Sequence, residues 1–275
     1  MAYDNLGDGA LNYFPCRYGK SKLTFRGPRR RLDGHYYAVL GGTEAYGKFV
    51  PRPYAAQAEE MSGDKVINLG RMNAGVDVYV GDQTVMDICA GAAATVLQVS
   101  GAQNMSNRFY AVHPRRNDRF LRASNLLKTI YREVDFTEFN FTRHLLSRLK
   151  EVDADRFVMV EQELKDAWVA RMKTLVSHIE SPVVLLWLAD HSPDEVTSST
   201  LEGSDPLFVD REMLQEVRPY AVEIVEVVVS PQEVDQGFAG LVFSEMEGPA
   251  AHGMLGTLAH EKAAAALVPV LEAFG

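Results

Sequence analysis

Five short apolar runs, separated by stretches with helical spacing, constrain the fold of this chain more than any other feature. The runs lie at residues 36–40, 65–69, 95–99, 183–188 and 222–229. Each is rich in Val, Ile or Leu and has the length of a single strand. Such strands with helices between them are typical of a parallel sheet covered on both faces. We therefore expect a three-layer α/β/α sandwich around a five-stranded parallel sheet, of the doubly wound, flavodoxin-like kind.

The clearest helical pattern lies between the third and fourth apolar runs, at residues 162–179. Its apolar side chains recur at the spacing of one helix face, which predicts an amphipathic helix packed on the sheet. The residues of this face are Leu164, Trp168, Met172, Leu175 and Ile179. Shorter helices are expected at 53–61 and 80–89, so that each strand is followed by a crossover helix.

Two segments do not follow the alternation. Residues 1–34 are polar, turn-rich and basic, and we interpret them as an N-terminal arm that precedes an α/β domain at 35–275. Residues 105–148 are too long and too aromatic for a loop between a strand and a helix. We interpret this second segment as an insertion, or cap, over the edge of the sheet.

Composition and charge exclude several classes of protein. The chain has 275 residues and a net charge of −9, whereas nucleic-acid binders are usually basic, so a nucleic-acid partner is not expected. No apolar run approaches the roughly 18 residues of a membrane span, and the N-terminus lacks a basic signal region. The two cysteines, Cys16 and Cys89, fit reduced thiols in a cytoplasmic protein. No histidine or cysteine spacing indicates a metal site, and no motif indicates a cofactor.

Polar residues follow several of the predicted strands. Thr43, Asn73, Asn104 and His191 each come shortly after an apolar run, and His260 opens an Ala-rich stretch near the C-terminus. The carboxyl ends of parallel strands meet at one edge, where ligands bind in sheets of this kind. A hydroxyl, amide-bearing loops and a late histidine are the groups that acyl transfer requires.

The first two strand-end segments resemble the first two sequence blocks of the SGNH, or GDSL, hydrolases. GGTEAYG (41–47) resembles the G-D-S block, with Thr43 in place of the serine nucleophile and no aspartate. NLGRMNAG (68–75) resembles the second block, whose glycine N–H faces the oxyanion. That glycine aligns with Asn73 without a gap and with Gly75 after a slip of two residues.

The last two blocks also have counterparts. GAQN (101–104) resembles G-x-N-D, with Gln103 at the oxyanion asparagine and Asn104 at the aspartate. LGTLAHEK (255–262) resembles D-x-x-H, with His260 as the base and Thr257 at the aspartate. The resemblance implies an acyl-ester hydrolase with Asn73 or Gly75 and Gln103 or Asn104 at the oxyanion. The segments FPCRYG and HPRRNDRF are similar to those of an uncharacterised bacterial family, which implies no activity.

Each catalytic candidate has a structural alternative. Thr43 could cap the helix that follows it through its hydroxyl. His260 could be a surface histidine at a helix start, and His252 competes with it for the role of base. The side-chain amides of Asn73, Gln103 and Asn104 could form hydrogen bonds within their own loops. His191 could orient a substrate together with Asp190, although its position after the fourth strand favours a role in its loop.

The segment after the third strand is rich in arginine. Arg108, Arg115, Arg116 and Arg119 lie close in sequence and directly after a strand end. Guanidinium groups suit carboxylate, sulfate or phosphate because they form planar, bidentate hydrogen bonds. We expect at least two of these arginines to face the cleft and bind an anionic substrate. The alternative is that they pair with the acids of this acidic protein.

The sequence therefore predicts an SGNH-like esterase or acyl-transfer enzyme acting on an acyl ester, such as that of an anionic carbohydrate or lipid headgroup. The missing serine and aspartate leave a second interpretation open. In it, the chain is catalytically inactive and binds an anionic ligand or a protein partner. A sulfotransferase-like activity is a third interpretation, but no phosphate-binding loop supports it.

Overall fold

The computed structural model describes residues 9–195 and 204–275. Its main sheet has five strands, all parallel, in the order β2-β1-β3-β6-β7. These strands are β1 (Tyr36–Leu40), β2 (Lys65–Asn68), β3 (Thr95–Gln98), β6 (Val183–Ala189) and β7 (Glu223–Val228). The predicted five-stranded parallel sheet is therefore confirmed, with β1 between β2 and β3 as the order of the motifs requires.

The sheet separates two cores because successive side chains of a strand point to opposite faces. Tyr36 and Ala38 of β1 pack into one core, and Tyr37 and Val39 pack into the other. Every residue of β1 and of β6 is buried, which explains why these runs are apolar throughout. β7 is an edge strand and alternates between buried and exposed positions in its second half.

Helices cover both faces of the sheet, which completes the predicted three-layer sandwich. The helices on the first core include α3 (Asp77–Val80), α4 (Gln83–Ala90), α7 (Ala154–His178) and α8 (Arg211–Val217). Those on the second core are α2 (Tyr54–Ser62) and α11 (Gly256–Leu271), with α9 (Pro231–Phe238) beside α11. The shorter helices are α1 (Thr43–Tyr46), α5 (Asn125–Ile130), α6 (Thr142–Val152) and α10 (Gly248–Ala251). Single 3₁₀ turns lie at Phe136–Glu138, Arg218–Tyr220, Glu245–Glu247 and Glu272–Phe274.

Helix boundaries differ from the sequence prediction where a capping residue sets them. The long helix α7 begins before residue 162, because the Asp153 side chain accepts a hydrogen bond from the Arg156 N–H. The single helix expected at 80–89 is two helices, since Asp82 caps α4 by accepting from Val85 N–H. The last helix begins before His260, not after it.

Residues 105–148 form elements outside the main sheet. Strands β4 (Tyr110–His113) and β5 (Arg116–Ala123) make an antiparallel hairpin, and α5 and the start of α6 follow. In the part of the arm that the structure describes, Tyr18, Leu23 and Phe25 are buried in the first core. The division into arm, domain and insertion stays an interpretation.

Within residues 9–195 and 204–275, no helix combines the length and the apolarity needed to cross a membrane.

Candidate functional site

Thr43 lies at the carboxyl end of β1, as the first residue of α1. Its hydroxyl oxygen accepts a hydrogen bond from Asn73 N–H at 3.0 Å and donates one to Asn73 Oδ1 at 3.2 Å. Asn73 has a left-handed backbone (φ 54°), which asparagine tolerates better than most residues. The loops after β1 and β2 are therefore joined at the residues that the motifs indicated.

The hairpin β4–β5 supplies two residues that sequence reasoning missed. Asp118 Oδ2 accepts a hydrogen bond from Asn73 Nδ2 at 3.3 Å, and Asn117 Oδ1 accepts one from Gly75 N–H at 3.1 Å. Both belong to the HPRRNDRF segment, which drew attention for its arginines. The signal that could have found them is an Asn-Asp pair within a segment already interpreted as covering this edge of the sheet.

Position 75 requires a glycine because the backbone of the loop after β3 packs directly against it. A Cβ added there would lie 1.7 Å from the carbonyl oxygen of Asn104. Its N–H, one of the expected oxyanion donors, is already bonded to the buried Asn117. These contacts favour a role for Gly75 in joining two loops, and its oxyanion role stays a prediction.

The two amides after β3 also have partners. Gln103 Nε2 donates to Asp205 Oδ1 at 2.7 Å, and Asn104 Oδ1 accepts from the Thr142 hydroxyl at 2.7 Å. Both side chains are buried. The structure thus places Gln103 and Asn104 near the sheet edge, with these polar atoms engaged by the loop before α8 and by α6.

His260 occupies a different environment from the one expected. It is only 2% exposed, and its Nδ1 accepts a hydrogen bond from Tyr54 N–H at 3.0 Å. Burial, assisted by the charge of Arg26, lowers the pKa of this imidazole to about 3. The ring also stacks on that of Tyr54. These contacts favour a packing role between α2 and α11, and the role of base stays a prediction.

The other histidines make their contacts elsewhere. All seven lie in the described residues, and both hydrogen bonds of the Thr43 hydroxyl go to Asn73. His252, the competing candidate, is exposed and rests edge-on against Phe238. His191 is buried, with Nδ1 at 2.8 Å from Asp190 Oδ1, and its Nε2 has no hydrogen-bond partner among the residues that the structure describes. That hydrogen bond to His191 lowers the pKa of the Asp190 carboxyl.

The four arginines of the insertion divide into two pairs. Arg108 forms an ion pair with Glu163 at 2.8 Å, and Arg119 lies over the ring of Phe141. Arg115 and Arg116 are exposed at the turn of the hairpin, and neither forms an ion pair within the described ranges. The turn lies beside the loop after β2, because Arg71 donates to the Arg115 carbonyl. The expectation that two arginines face the cleft stays a prediction.

Glu44 follows Thr43 and is the most perturbed carboxyl at this edge. Burial of its carboxyl group, reinforced by the negative charge of Asp205, raises its pKa to about 7. Hydrogen bonding from Gln98 and the charge of Arg143 act in the opposite direction. Part of the residue remains exposed, so Glu44 is a group that can exchange a proton near neutral pH.

Across the described residues, no group of three or more His, Cys, Asp or Glu side chains could hold a metal ion.

A family model described as "Domain of unknown function (DUF6473)" matches residues 1–275. No curated protein matches the chain. Similar solved structures include a lipase from a goat rumen metagenome, 13% identical, with a TM-score of 0.38 over 82% of this chain and 100% of the lipase. A GDSL-like lipase of Bacteroides ovatus is 13% identical, with a TM-score of 0.38 over 92% of this chain and 57% of that one. A gut microbial diltiazem-metabolizing enzyme is 9% identical, with a TM-score of 0.40 over 89% of this chain and 48% of that one. The chain thus spans about half the length of the last two.

Proposed function

The chain belongs to the family described as domain of unknown function (DUF6473), and we propose that it binds an anionic ligand at the sheet edge formed by Thr43, Asn73 and the β4–β5 turn. The observation that carries this proposal is the environment of Arg115 and Arg116. Both residues are exposed at a turn whose Arg115 carbonyl accepts a hydrogen bond from Arg71 of the loop after β2, and neither has an ion-pair partner in the described ranges. Paired guanidinium groups are suited to the carboxylate, sulfate or phosphate of a carbohydrate or lipid headgroup.

Binding without turnover is favoured by the hydrogen bonds of Thr43. A threonine hydroxyl needs an adjacent base to become a nucleophile. The hydroxyl proton is directed at an amide oxygen, Asn73 Oδ1, which is not a base of useful strength. The imidazole expected to serve, His260, is buried and accepts the N–H of Tyr54. Among the described residues, the hydrogen bonds of Thr43 therefore support ligand binding more than acyl transfer.

Acyl-ester hydrolysis is the second candidate, and one observation favours it. The Thr43 hydroxyl stands at the end of a central strand and receives a backbone N–H from the neighbouring loop. Hydrogen bonds of a catalytic group often form only in the complex with substrate, so a base could reach Thr43 on binding.

A ligand titration tests the binding proposal. Inorganic phosphate, glucuronate and glycerol 3-phosphate are titrated into the full chain by calorimetry at low and high salt. We expect saturable binding of at least one probe, weakened by salt because exposed charges are screened. Replacing Arg115 and Arg116 together by glutamine should weaken binding at least about tenfold. The matched pair Arg132→Gln and Arg148→Gln removes the same charge elsewhere and should leave binding unchanged.

An esterase assay separates the two candidates. p-Nitrophenyl acetate and butyrate are offered to the wild type, to Thr43→Ala and to Thr43→Ser. The binding proposal expects equal rates for the wild type and Thr43→Ala. Loss of turnover in Thr43→Ala, with turnover kept or raised in Thr43→Ser, would instead establish acyl transfer. Thr174→Ala, at an exposed position of α7, controls for the loss of a hydroxyl.

A further inference from the structure

A second polar site lies at the other end of α1, under the described part of the N-terminal arm. Here the arm, α2 and the end of β2 enclose a cavity of about 240 Å³. Residues from all three elements line it, among them Asn12, Phe14, Tyr18, Arg26, Ala56 and Val66. No residue that lines it belongs to the Thr43 edge, so the two sites are separate.

Arg26 is the polar group at the centre of this site. The residue is only 8% exposed, and its guanidinium donates to three backbone carbonyls, at 3.3 Å to Tyr46, 2.5 Å to Gly47 and 2.8 Å to Pro51. The carbonyls of Tyr46 and Gly47 lie at the end of α1, where a helix carries partial negative charge. Arg26 therefore fixes the end of the helix that Thr43 begins.

No carboxylate in the described part of the chain balances the charge of Arg26. Among the described residues, Arg26 forms no ion pair, and the lining of the cavity contains two arginines and no acidic side chain. The second arginine, Arg30, is neutralised by Glu59 at 2.5 Å. Carbonyl groups satisfy N–H donors but supply only partial charge, so a buried guanidinium without an anion is costly. Burial accordingly lowers the pKa of Arg26.

The rest of the wall is a mixture in which apolar surface is the larger share. Tyr18 and Val66 are buried, and Phe14 is 59% exposed, so its ring stands on the solvent side of the cavity. The Asn68 amide, which also lines the cavity, is engaged by the Ala45 carbonyl and Gly70 N–H. A positive charge that no described carboxylate balances, beside the apolar surfaces of Tyr18, Val66 and Phe14, suits one negative charge on an apolar body.

We propose that this cavity binds a small organic carboxylate, with the carboxylate on Arg26 and the apolar body against Tyr18, Val66 and Phe14. The volume lies below the roughly 300–1,000 Å³ of pockets for drug-sized ligands, so the ligand is small. A phosphate ester is a poorer fit, because a dianion needs more donors than one guanidinium offers.

Calorimetry with benzoate and hexanoate tests the proposal on the full chain. Both acids should bind saturably, and benzyl alcohol, the neutral analogue of benzoate, should bind at least about tenfold more weakly because it lacks the charge. Arg26→Lys should retain part of the affinity, and Arg26→Met should lose it. Inorganic phosphate binding that is stronger than benzoate binding and is lost in Arg26→Met would overturn the choice of ligand.

Cavity filling provides a test that leaves Arg26 in place. Ala56→Leu adds three carbons to the lining, whereas Ala265→Leu adds them to an exposed position of α11. Benzoate binding should fall at least about tenfold in Ala56→Leu and stay unchanged in Ala265→Leu. Thermal unfolding shows whether each variant folds. If Arg26→Met does not fold, the comparison of Ala56→Leu with the wild type decides the result. Equal binding of benzoate by the wild type and a folded Ala56→Leu, or no binding by the wild type, would refute the proposal.

Discussion

The polar groups at the two ends of α1 differ in how fully other groups of the protein satisfy them. At its start, Thr43, Asn73 and Asp118 form a chain of hydrogen bonds in which each side chain engages the next. At its end, the guanidinium of Arg26 contacts three carbonyl groups, the ring of Tyr13 and a cavity. The sequence motifs indicated the first end, but the buried charge without a carboxylate among the described residues lies at the second. A motif therefore locates polar residues, whereas the balance of charge indicates where a ligand is needed.

The largest expected effect tests how rigid the first end is. Gly75→Ala would place a methyl group 1.7 Å from the Asn104 carbonyl oxygen, so the loops after β2 and β3 would have to separate. We expect the free energy of unfolding to fall by about 4 kcal/mol. Gly81→Ala is the control, since Gly81 has no atom near its added Cβ and an ordinary φ. Denaturation in urea measures the free energy of unfolding of both variants. Similar losses in the two would mean that the loops after β2 and β3 can adjust to the added methyl group.

The next effect tests the second end through pH. His260 has its pKa lowered from 6.5 to about 3 in the folded protein. The unfolded chain therefore binds more protons between these values, and stability is lost as pH falls through this window. We expect a loss of about 3 kcal/mol between pH 6.5 and 3 that is absent in His260→Gln. His178→Gln, at an exposed position, should keep the wild-type slope; a slope retained in His260→Gln would contradict the buried, neutral histidine.

Glu44 should make a smaller contribution to the pH dependence of stability, and of the opposite sign to that of His260. Its pKa is raised from 4.5 to about 7 on folding, so the folded state binds more protons between these values. Its contribution to stability is present below pH 4.5 and is lost as pH rises through 7. We expect this contribution to the free energy of unfolding to be about 1–2 kcal/mol, less than the pKa shift alone implies, because the residue is partly exposed. Glu44→Gln should remove this dependence of the free energy of unfolding on pH, and Glu180→Gln should not.

The smallest effect concerns the hydroxyl of Thr43 itself. Thr43→Val keeps the shape of the side chain and removes both hydrogen bonds to Asn73. We expect a loss of about 1 kcal/mol in the free energy of unfolding, the value of ordinary hydrogen bonds at a partly exposed site. Thr174→Val on the surface of α7 is the matched control. A loss no larger than in that control would show that the junction between the two loops does not depend on this hydroxyl.

Much of the fold was accessible from sequence because its signals are local. The apolar run at 183–188 predicted a buried strand, and β6 is buried along its whole length. The spacing of Trp168, Met172 and Leu175 predicted one face of α7, and all three are buried. Boundaries were less accessible, because caps such as Asp153 and Asp82 shift them by a turn or more.

The site was accessible only in part. The loop motifs indicated Thr43 and Asn73 as neighbours, and the parallel sheet brings them into contact. The partners Asp118 and Asp205 come from distant segments that carry no periodic pattern. His260 was expected at a helix start, yet α11 begins a turn earlier and turns this residue into the core.

The secondary structure elements and the parallel sheet were predictable from the sequence, because hydrophobic periodicity acts over a few residues and along every element. Which polar groups are satisfied and which charge is buried depends instead on tertiary packing. That outcome depends on how the arm and the hairpin pack against the sheet. Arg26 is one of several arginines in a basic arm by sequence, and it becomes the buried cation of a cavity only when the arm folds against α1 and α2.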